Sequence, residues 1–144
     1  MTVEGAIVSR LKADSAVSAI VGSRVYRLKL PQQPTLPAIR VQRVSRVEYE
    51  GHLRGRSGRF RSRIQIDAFA SEYDSQNPDP LGTQDALMTA IDNAIVGKAF
   101  DSGDSPTTIQ VWVVLSANAY EEYEAGELRQ VRGPQDYFVT WSRL

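Results

Sequence analysis

Residues 59–69, RFRSRIQIDAF, alternate between polar and apolar side chains, and this pattern restricts the fold more than any other feature of the chain. Period-two alternation is typical of a β-strand that buries one face. We expect the apolar half to face a core: Phe60, Ile64, Ile66 and Ala68. The polar half, which includes Arg59, Arg61 and Arg63, should project from the opposite face.

A second β-rich run, residues 38–50, precedes this strand, and the glycine-rich residues 51–58 separate the two. Two alternating runs joined by such a loop predict an antiparallel hairpin. One side of the first run is expected to carry Ile39, Val41, Val47 and Tyr49. Arg43 interrupts that side, which predicts a twist, a bulge or a salt bridge at this position.

Three segments have the apolar spacing of helices. Two of them lie within residues 2–22, where Asp14 caps the second helix and Gly22 ends it. The third begins at an Asp79–Pro80 cap, ends at Gly97 and has a predicted buried stripe of Leu81, Leu87, Met88, Ile91, Ala94 and Ile95. Residues 24–28 are a short strand candidate, and the proline-rich residues that follow predict an extended connector.

Two further strands are predicted, at residues 108–117 and 135–143, after a loop at residues 100–107. The first is expected to point Ile109, Val111, Val113 and Leu115 inward. Its other face is also apolar, through Trp112 and Val114. Because exposed apolar side chains on one face often mark a contact, we expect this second face to touch another molecule.

These elements predict one α+β domain, residues 1–144, in which an antiparallel sheet of about four or five strands carries helices packed on one face. A chain of 144 residues is about one domain long and can bury a sizeable core. Charged residues interrupt every apolar stretch, including the N-terminal one, so we expect neither a membrane span nor a secretion signal.

Few residues are suited to catalysis or metal binding. The absence of cysteine excludes disulfides and thiolate ligands, and the single histidine, His52, lies in the glycine-rich loop without a partner nucleophile. Phosphate-binding glycine motifs are missing. A cluster of acidic residues is expected to be a solvated rim: Glu121, Glu122, Glu124 and Glu127. We therefore expect no enzyme activity, no cofactor and no metal.

Charge is divided unevenly along the chain. Residues 1–63 hold 13 Lys and Arg against 4 Asp and Glu, whereas residues 64–144 hold 4 against 13. This split indicates either a basic face for a polyanion or basic and acidic surfaces that meet between copies. Alternatively, folding interleaves the two halves and little polarity remains.

The basic half contains a dense arginine run: Arg54, Arg56, Arg59, Arg61 and Arg63. Alternation places Phe60 on the face opposite Arg59 and Arg61, which disfavours base stacking beside those two arginines. The chain uses 14 arginines and 3 lysines, and planar guanidinium groups suit fixed pairing with carboxylates at protein interfaces. Contacts with protein are therefore favoured, and a nucleic-acid-binding module that uses the basic half is the alternative.

Three segments, taken in order, resemble one protein family: IVGSRVY at residues 20–26, LPQQPTLPAIRVQRVS at 30–45 and RIQIDAFASEY at 63–73. The chain resembles the tail-completion proteins of long-tailed bacteriophages, small α+β subunits similar in fold to the lambda tail terminator. The resemblance spans about the first two thirds of the chain. Residues 100–126 depart most from it.

The resemblance implies a structural virion protein, assembled in the host cytoplasm and located where tail meets neck. Such proteins form a homo-oligomeric ring, usually of six subunits, that caps the head-proximal end of the tail tube. The implied partners are the tail tube protein and a neck or head-closure protein. DNA passes through the ring without specific recognition, and no membrane is involved.

A ring joins two different surfaces of the same molecule, because its contacts are head-to-tail. The divided charge suggests which surfaces these are. Our hypothesis is that the arginine run meets the acidic residues 121–127 of a neighbouring copy, with Trp112 and Val114 as apolar contacts.

Overall fold

The computed structural model describes residues 2–49, 57–71, 79–103, 108–119, 122–123 and 130–143. These residues contain three helices and seven strands: α1 Val3–Ala13, α2 Ser15–Val21, β1 Val25–Arg27, β2 Ala38–Glu48, β3 Arg59–Ser71, α3 Pro80–Ile95, β4 Phe100–Asp101, β5 Ile109–Ala119, β6 Glu122–Tyr123 and β7 Gln130–Arg143. None of the described helices is long and apolar enough to cross a membrane.

All seven strands belong to one sheet with the order β1-β2-β3-β7-β5-β4, and β6 pairs with β7. The α+β class is confirmed, but the expected four or five strands are too few. The sheet is also not purely antiparallel, because β1 runs parallel to β2. The additional strands β4 and β6 have two residues each, so they are too short to show a period in the sequence.

The predicted helix caps are confirmed. Asp14 Oδ1 accepts hydrogen bonds from Ala16 N and Val17 N, each at 3.0 Å, and Gly22 ends α2 with φ of +59°. The carboxylate of Asp79 accepts a bond from Gly82 N at the start of α3.

One predicted member of the buried stripe of α3 is wrong, since Leu81 is 48% exposed in the first turn. In its place Gln84 is buried, at a point where β7 comes close to the helix. A Cβ atom added at Gly133 would lie 1.8 Å from Gln84 Nε2 and 2.7 Å from Gln84 Cδ, so any larger residue at position 133 would require the buried Gln84 side chain to move.

One hydrophobic core contains side chains from all three helices and from one face of the sheet, which we call the helix-side face. From β3 and β7 this face contributes Ile64, Ile66, Ala68, Tyr137, Val139 and Trp141. Phe60 stacks on Trp141 with 4.7 Å between ring centroids, which confirms the predicted apolar face of β3. The Tyr137 hydroxyl donates to Asp92 Oδ1 of α3 at 2.5 Å. Burial, reinforced by this bond, raises the pKa of Tyr137 far above its ordinary value.

A bulge in β2 changes which side chains share a face. The register of β2 against β3 shifts between Arg43 and Ser45, and Arg43 Nε lies 3.4 Å from Glu4 Oε1. Both the predicted bulge and the predicted salt bridge at Arg43 are therefore confirmed. Because a bulge adds one residue to the strand, Val47 and the following Tyr49 lie on the face opposite Ile39 and Val41, contrary to the sequence prediction.

A second bulge, in β5, has the same effect. The register against β7 shifts between Val111 and Val113. Val114 is consequently fully buried in the core, and Leu115 is 55% exposed on the other face. The prediction that Val114 faces outward and that Val113 and Leu115 face inward is therefore wrong. Val113 pairs with Thr140, which lies beside Arg61 on the other face, because the extra residue inverts the alternation beyond Trp112.

Candidate interaction surface

The second face of the sheet carries the arginines of β3, and we call it the arginine face. Its side chains come from β2, β3, β7 and β5. Several large apolar side chains on it are exposed, with fractions of 64% for Val47 and 47% for Trp112; Tyr49 and Leu115 belong to the same set. Four aligned strands hold these groups, so the face is rigid and partly apolar. Such a surface is typical of a contact site.

Two arginines lie over aromatic rings on this face. The guanidinium of Arg59 is 5.1 Å from the Trp112 ring centroid, and that of Arg61 is 4.1 Å from the Phe138 ring centroid. Trp112 Nε1 also donates to Ser142 Oγ at 2.9 Å, which fixes the indole on β7. Cation–π contacts orient both guanidiniums without neutralising them. Within the described residues neither Arg59 nor Arg61 is paired with a carboxylate.

A depression of about 210 Å³ opens between β2 and β7, beside Arg61. It is lined by Ser45, Val47, Tyr49, Arg61, Arg63 and Phe138. The Tyr49 hydroxyl and Thr140 Oγ1 are 3.4 Å apart across β3. The depression combines apolar walls with guanidinium donors. It can therefore accept a side chain that has an apolar stem and ends in a carboxylate or another hydrogen-bond acceptor.

Arg63 differs from the other two arginines because it has a carboxylate in its own chain. Its Nε lies 3.1 Å from Asp136 Oδ2, its Nη2 contacts the same oxygen, and Asp136 is buried. Arg63 therefore contributes less free charge to the arginine face than its neighbours in β3. The Arg63 side chain is itself 42% exposed, so only the carboxylate of this pair is buried.

A second buried carboxylate lies further along the sheet. Asp67 has no exposed surface and accepts bonds from Arg40 Nε at 2.8 Å, Arg132 Nη2 at 3.2 Å and Gln65 Nε2 at 2.9 Å. Arg40 and Arg63 come from the basic part of the sequence, whereas Asp67 and Asp136 come from the acidic part. Folding therefore interleaves part of the divided charge. Arg59 and Arg61 keep their positive charges at the surface.

The structure brings four predicted site residues to one face: Arg59, Arg61, Arg63 and Trp112. Val114 is in the core instead. Arg54, Arg56, Glu121, Glu124 and Glu127 lie outside the described residues, as does His52. Glu122 is in β6, where its backbone pairs with Arg132.

Sequence reasoning missed the apolar partners of the arginine face: Val47, Tyr49, Leu115 and Phe138. Bulges hid the first three, because each bulge shifts the alternation by one residue. Phe138 is preceded by Tyr137, so two adjacent aromatic residues gave no indication of which one faces the core. Only the pairing with β3, which matches Phe138 to Arg63, places it on the arginine face.

The described part of the chain holds no group of three or more His, Asp or Glu side chains arranged to bind a metal ion. Its exposed polar groups on the arginine face are guanidiniums, hydroxyls and amides.

Comparison with known proteins gave two results. A protein-family model described as tail completion protein gp17 matches residues 5–132. Among solved structures, the fold is similar to a chain of the virion of a native gene transfer agent particle, with a TM-score of 0.65 and 17% identity over 97% of this chain and 94% of that chain. At this identity the likeness concerns the fold alone. The comparison with curated proteins gave no match.

Proposed function

The chain belongs to the tail completion protein gp17 family of structural phage tail proteins, and we propose that its copies form a ring that caps the head-proximal end of a tail tube. In this role the ring stops growth of the tube and joins it to neck or head-closure proteins. Six subunits are the expected number. DNA passes through the ring without being recognised by sequence.

The observation that carries this proposal is the composition of the arginine face. Trp, Tyr and Arg are the residues that most often dominate binding energy at protein interfaces, and this face exposes Trp112, Tyr49, Arg59 and Arg61 together. Lysine, which is typical of loose electrostatic contacts, is absent from it. The face is therefore suited to a fixed protein contact.

The orientation of Arg59 and Arg61 supports a contact with carboxylates. Each guanidinium is held against a ring in a defined position, so less side-chain entropy is lost when a partner binds. The acidic residues 121–127 of a neighbouring copy are our proposed partner for these two arginines. A closed ring requires such unlike surfaces, because each subunit presents one surface to the copy ahead and another to the copy behind.

The mass of the protein in solution tests this proposal. Light scattering over a range of concentrations should give a mass several times the 16.0 kDa of one chain. A gel shift with a DNA fragment at physiological salt should show little binding. A monomer that binds DNA with a steep salt dependence would instead support a nucleic-acid-binding module.

A further inference from the structure

The outer border of β2 is only partly covered by β1. Their parallel register runs from Val25 opposite Ile39 to Arg27 opposite Val41, and the last bond between them is donated by Leu28 N to Val41 O at 2.9 Å. β2 continues to Glu48. Within the described residues, no strand pairs with the outer side of β2 beyond Val41.

Alternation of the backbone identifies groups that face outward on this border. Tyr49 N donates to Arg59 O, so the backbone of residue 49 points toward β3. In an antiparallel pair every second residue points the same way, which directs the N–H and C=O groups of Arg46 away from β3. The side chains of residues 43–47 are exposed here. The border is therefore accessible to another strand.

The opposite end of the sheet has a comparable border on β5. β4 covers Gln110 and Val111, and Gly97 N donates to Val114 O at 2.9 Å. Since Val114 points away from β7, Ser116 is the next residue that does so. β5 runs on to Ala119, and its register against β7 shifts a second time between Ser116 and Ala119. In the part of the chain that the structure describes, the outer side of β5 has no paired strand beyond Val114.

The strand directions allow these two borders to meet. The long strands β2, β3, β7 and β5 alternate in direction, so β2 and β5 run in opposite directions. A rotation about an axis roughly parallel to the strands keeps each direction unchanged from copy to copy. The β2 border of one copy would therefore lie antiparallel to the β5 border of the next, and the pattern would continue around a closed ring.

We propose that the outer border of β2, around Arg46, pairs with the outer border of β5, around Ser116, of a second copy. This inference rests on the ring of the proposed function and specifies how its subunits are joined. Strand addition at an open sheet edge supplies main-chain hydrogen bonds, and side chains on each face set the specificity. The two borders differ, so the contact is head-to-tail.

The exposed apolar side chains near the borders fit this arrangement. Val47 of β2 and Leu115 of β5 both lie on the arginine face and are the two most exposed large apolar side chains of that face. Joining the borders extends the arginine face from one copy into the next. Val47 and Leu115 then lie on the same side of the joint, where cross-strand packing removes both from water.

A proline substitution tests the hydrogen bonds of the joint. Arg46→Pro removes an N–H that points away from β3, so the internal ladder of the subunit is kept. Arg46→Ala is the matched control, because it removes the same side chain and keeps the N–H. We expect Arg46→Pro to fold, as judged by circular dichroism. The protein concentration at which it assembles should be at least tenfold higher than for the unchanged protein. Arg46→Ala should assemble at the same concentration as the unchanged protein.

Cross-linking tests the position of the joint. The chain has no cysteine, so a short bismaleimide reacts only with cysteines introduced as Val47→Cys and Leu115→Cys. The double variant should give a ladder of linked multimers. A mixture of the two single variants should stop at dimers.

The outcomes separate this inference from the proposed function. If rings form but the double variant stays unlinked and Arg46→Pro assembles normally, the strand joint is wrong and the ring stands. If the unchanged protein remains a monomer at every concentration, the ring itself fails and the joint fails with it.

Discussion

The guanidinium of Arg59 in β3 lies 5.1 Å from the ring centroid of Trp112 in β5, across the intervening strand β7. Ser142 of β7 pairs with Arg59 in register and accepts a bond from the Trp112 indole. The three side chains thus hold an aromatic ring and a charge together on an exposed face. This arrangement leads to the first two predictions.

Replacement of Trp112 by alanine should harm assembly more than folding. The indole is half exposed and its contact with Arg59 is at the surface, where a cation–π pair is worth about 0.5–1 kcal/mol. We expect the free energy of unfolding in urea to fall by about 1 kcal/mol, while the mass measured by light scattering falls toward that of the monomer. If the free energy of association fell by no more than the free energy of unfolding, Trp112 would have no role of its own at the interface.

Charge reversal at the arginine face should be rescued by reversal on the partner surface. Arg59→Glu with Arg61→Glu should weaken ring formation, because both sites then repel carboxylates of a neighbouring copy. Adding Glu121→Arg and Glu124→Arg to the same chain should restore it. Lys98→Glu, at an exposed site after α3, is the control and should leave assembly unchanged. Rings that are indifferent to all four substitutions would refute the proposed charge pairing.

Loss of the buried carboxylate of Asp67 should be strongly destabilising. Asp67→Ala removes the acceptor that both Arg40 and Arg132 bind, and breaking a buried ion pair from one side costs about 3–5 kcal/mol. Asp85→Ala, at an exposed position of α3, should change stability by less than about 0.5 kcal/mol. Urea unfolding measures both. A loss below about 1 kcal/mol for Asp67→Ala would mean that the charge network does little for the fold.

The bond between Tyr137 and Asp92 should make stability depend on alkaline pH. Burial raises the pKa of Tyr137 in the folded state, so the unfolded chain releases its phenolic proton first. The stabilisation is complete below the ordinary tyrosine pKa of about 10 and is lost as pH rises above it. At neutral pH the free energy of unfolding of Tyr137→Phe should be about 1–2 kcal/mol lower, since the substitution removes the hydroxyl that donates a hydrogen bond to Asp92.

Unfolding measured from pH 8 to 11 checks this prediction. The unchanged protein should lose stability more steeply above pH 10 than Tyr137→Phe does, because the variant lacks the group responsible. Parallel curves for the two proteins would show that Tyr137 ionises as easily in the folded state as in the unfolded chain.

Local chemistry made much of the fold predictable. The caps at Asp14 and Asp79 depend on hydrogen bonds within three residues, and the faces of β3 follow from strict alternation. For the same reason the sequence correctly assigned Arg59, Arg61 and Arg63 to one face. These features need no information from distant parts of the chain.

The remaining features depend on long-range pairing. Whether β2 and β5 contain a bulge is decided by strands that lie far away in sequence, and each bulge inverts the side chains that follow it as far as the next register shift. For this reason Val114 and Leu115 each lie on the face of the sheet opposite to the predicted one. The Arg63–Asp136 pair joins residues 73 positions apart, so no local pattern could show that Arg63 is already neutralised.

Electron microscopy of tail tubes tests the central claim most directly. Tubes polymerised from the tube protein of the same genome would be incubated with this protein and imaged with and without it. The ring proposal predicts extra density, several subunits around, at one end of each tube, together with the end of further growth. Density along the whole tube, or free monomers beside tubes that keep growing, would contradict it.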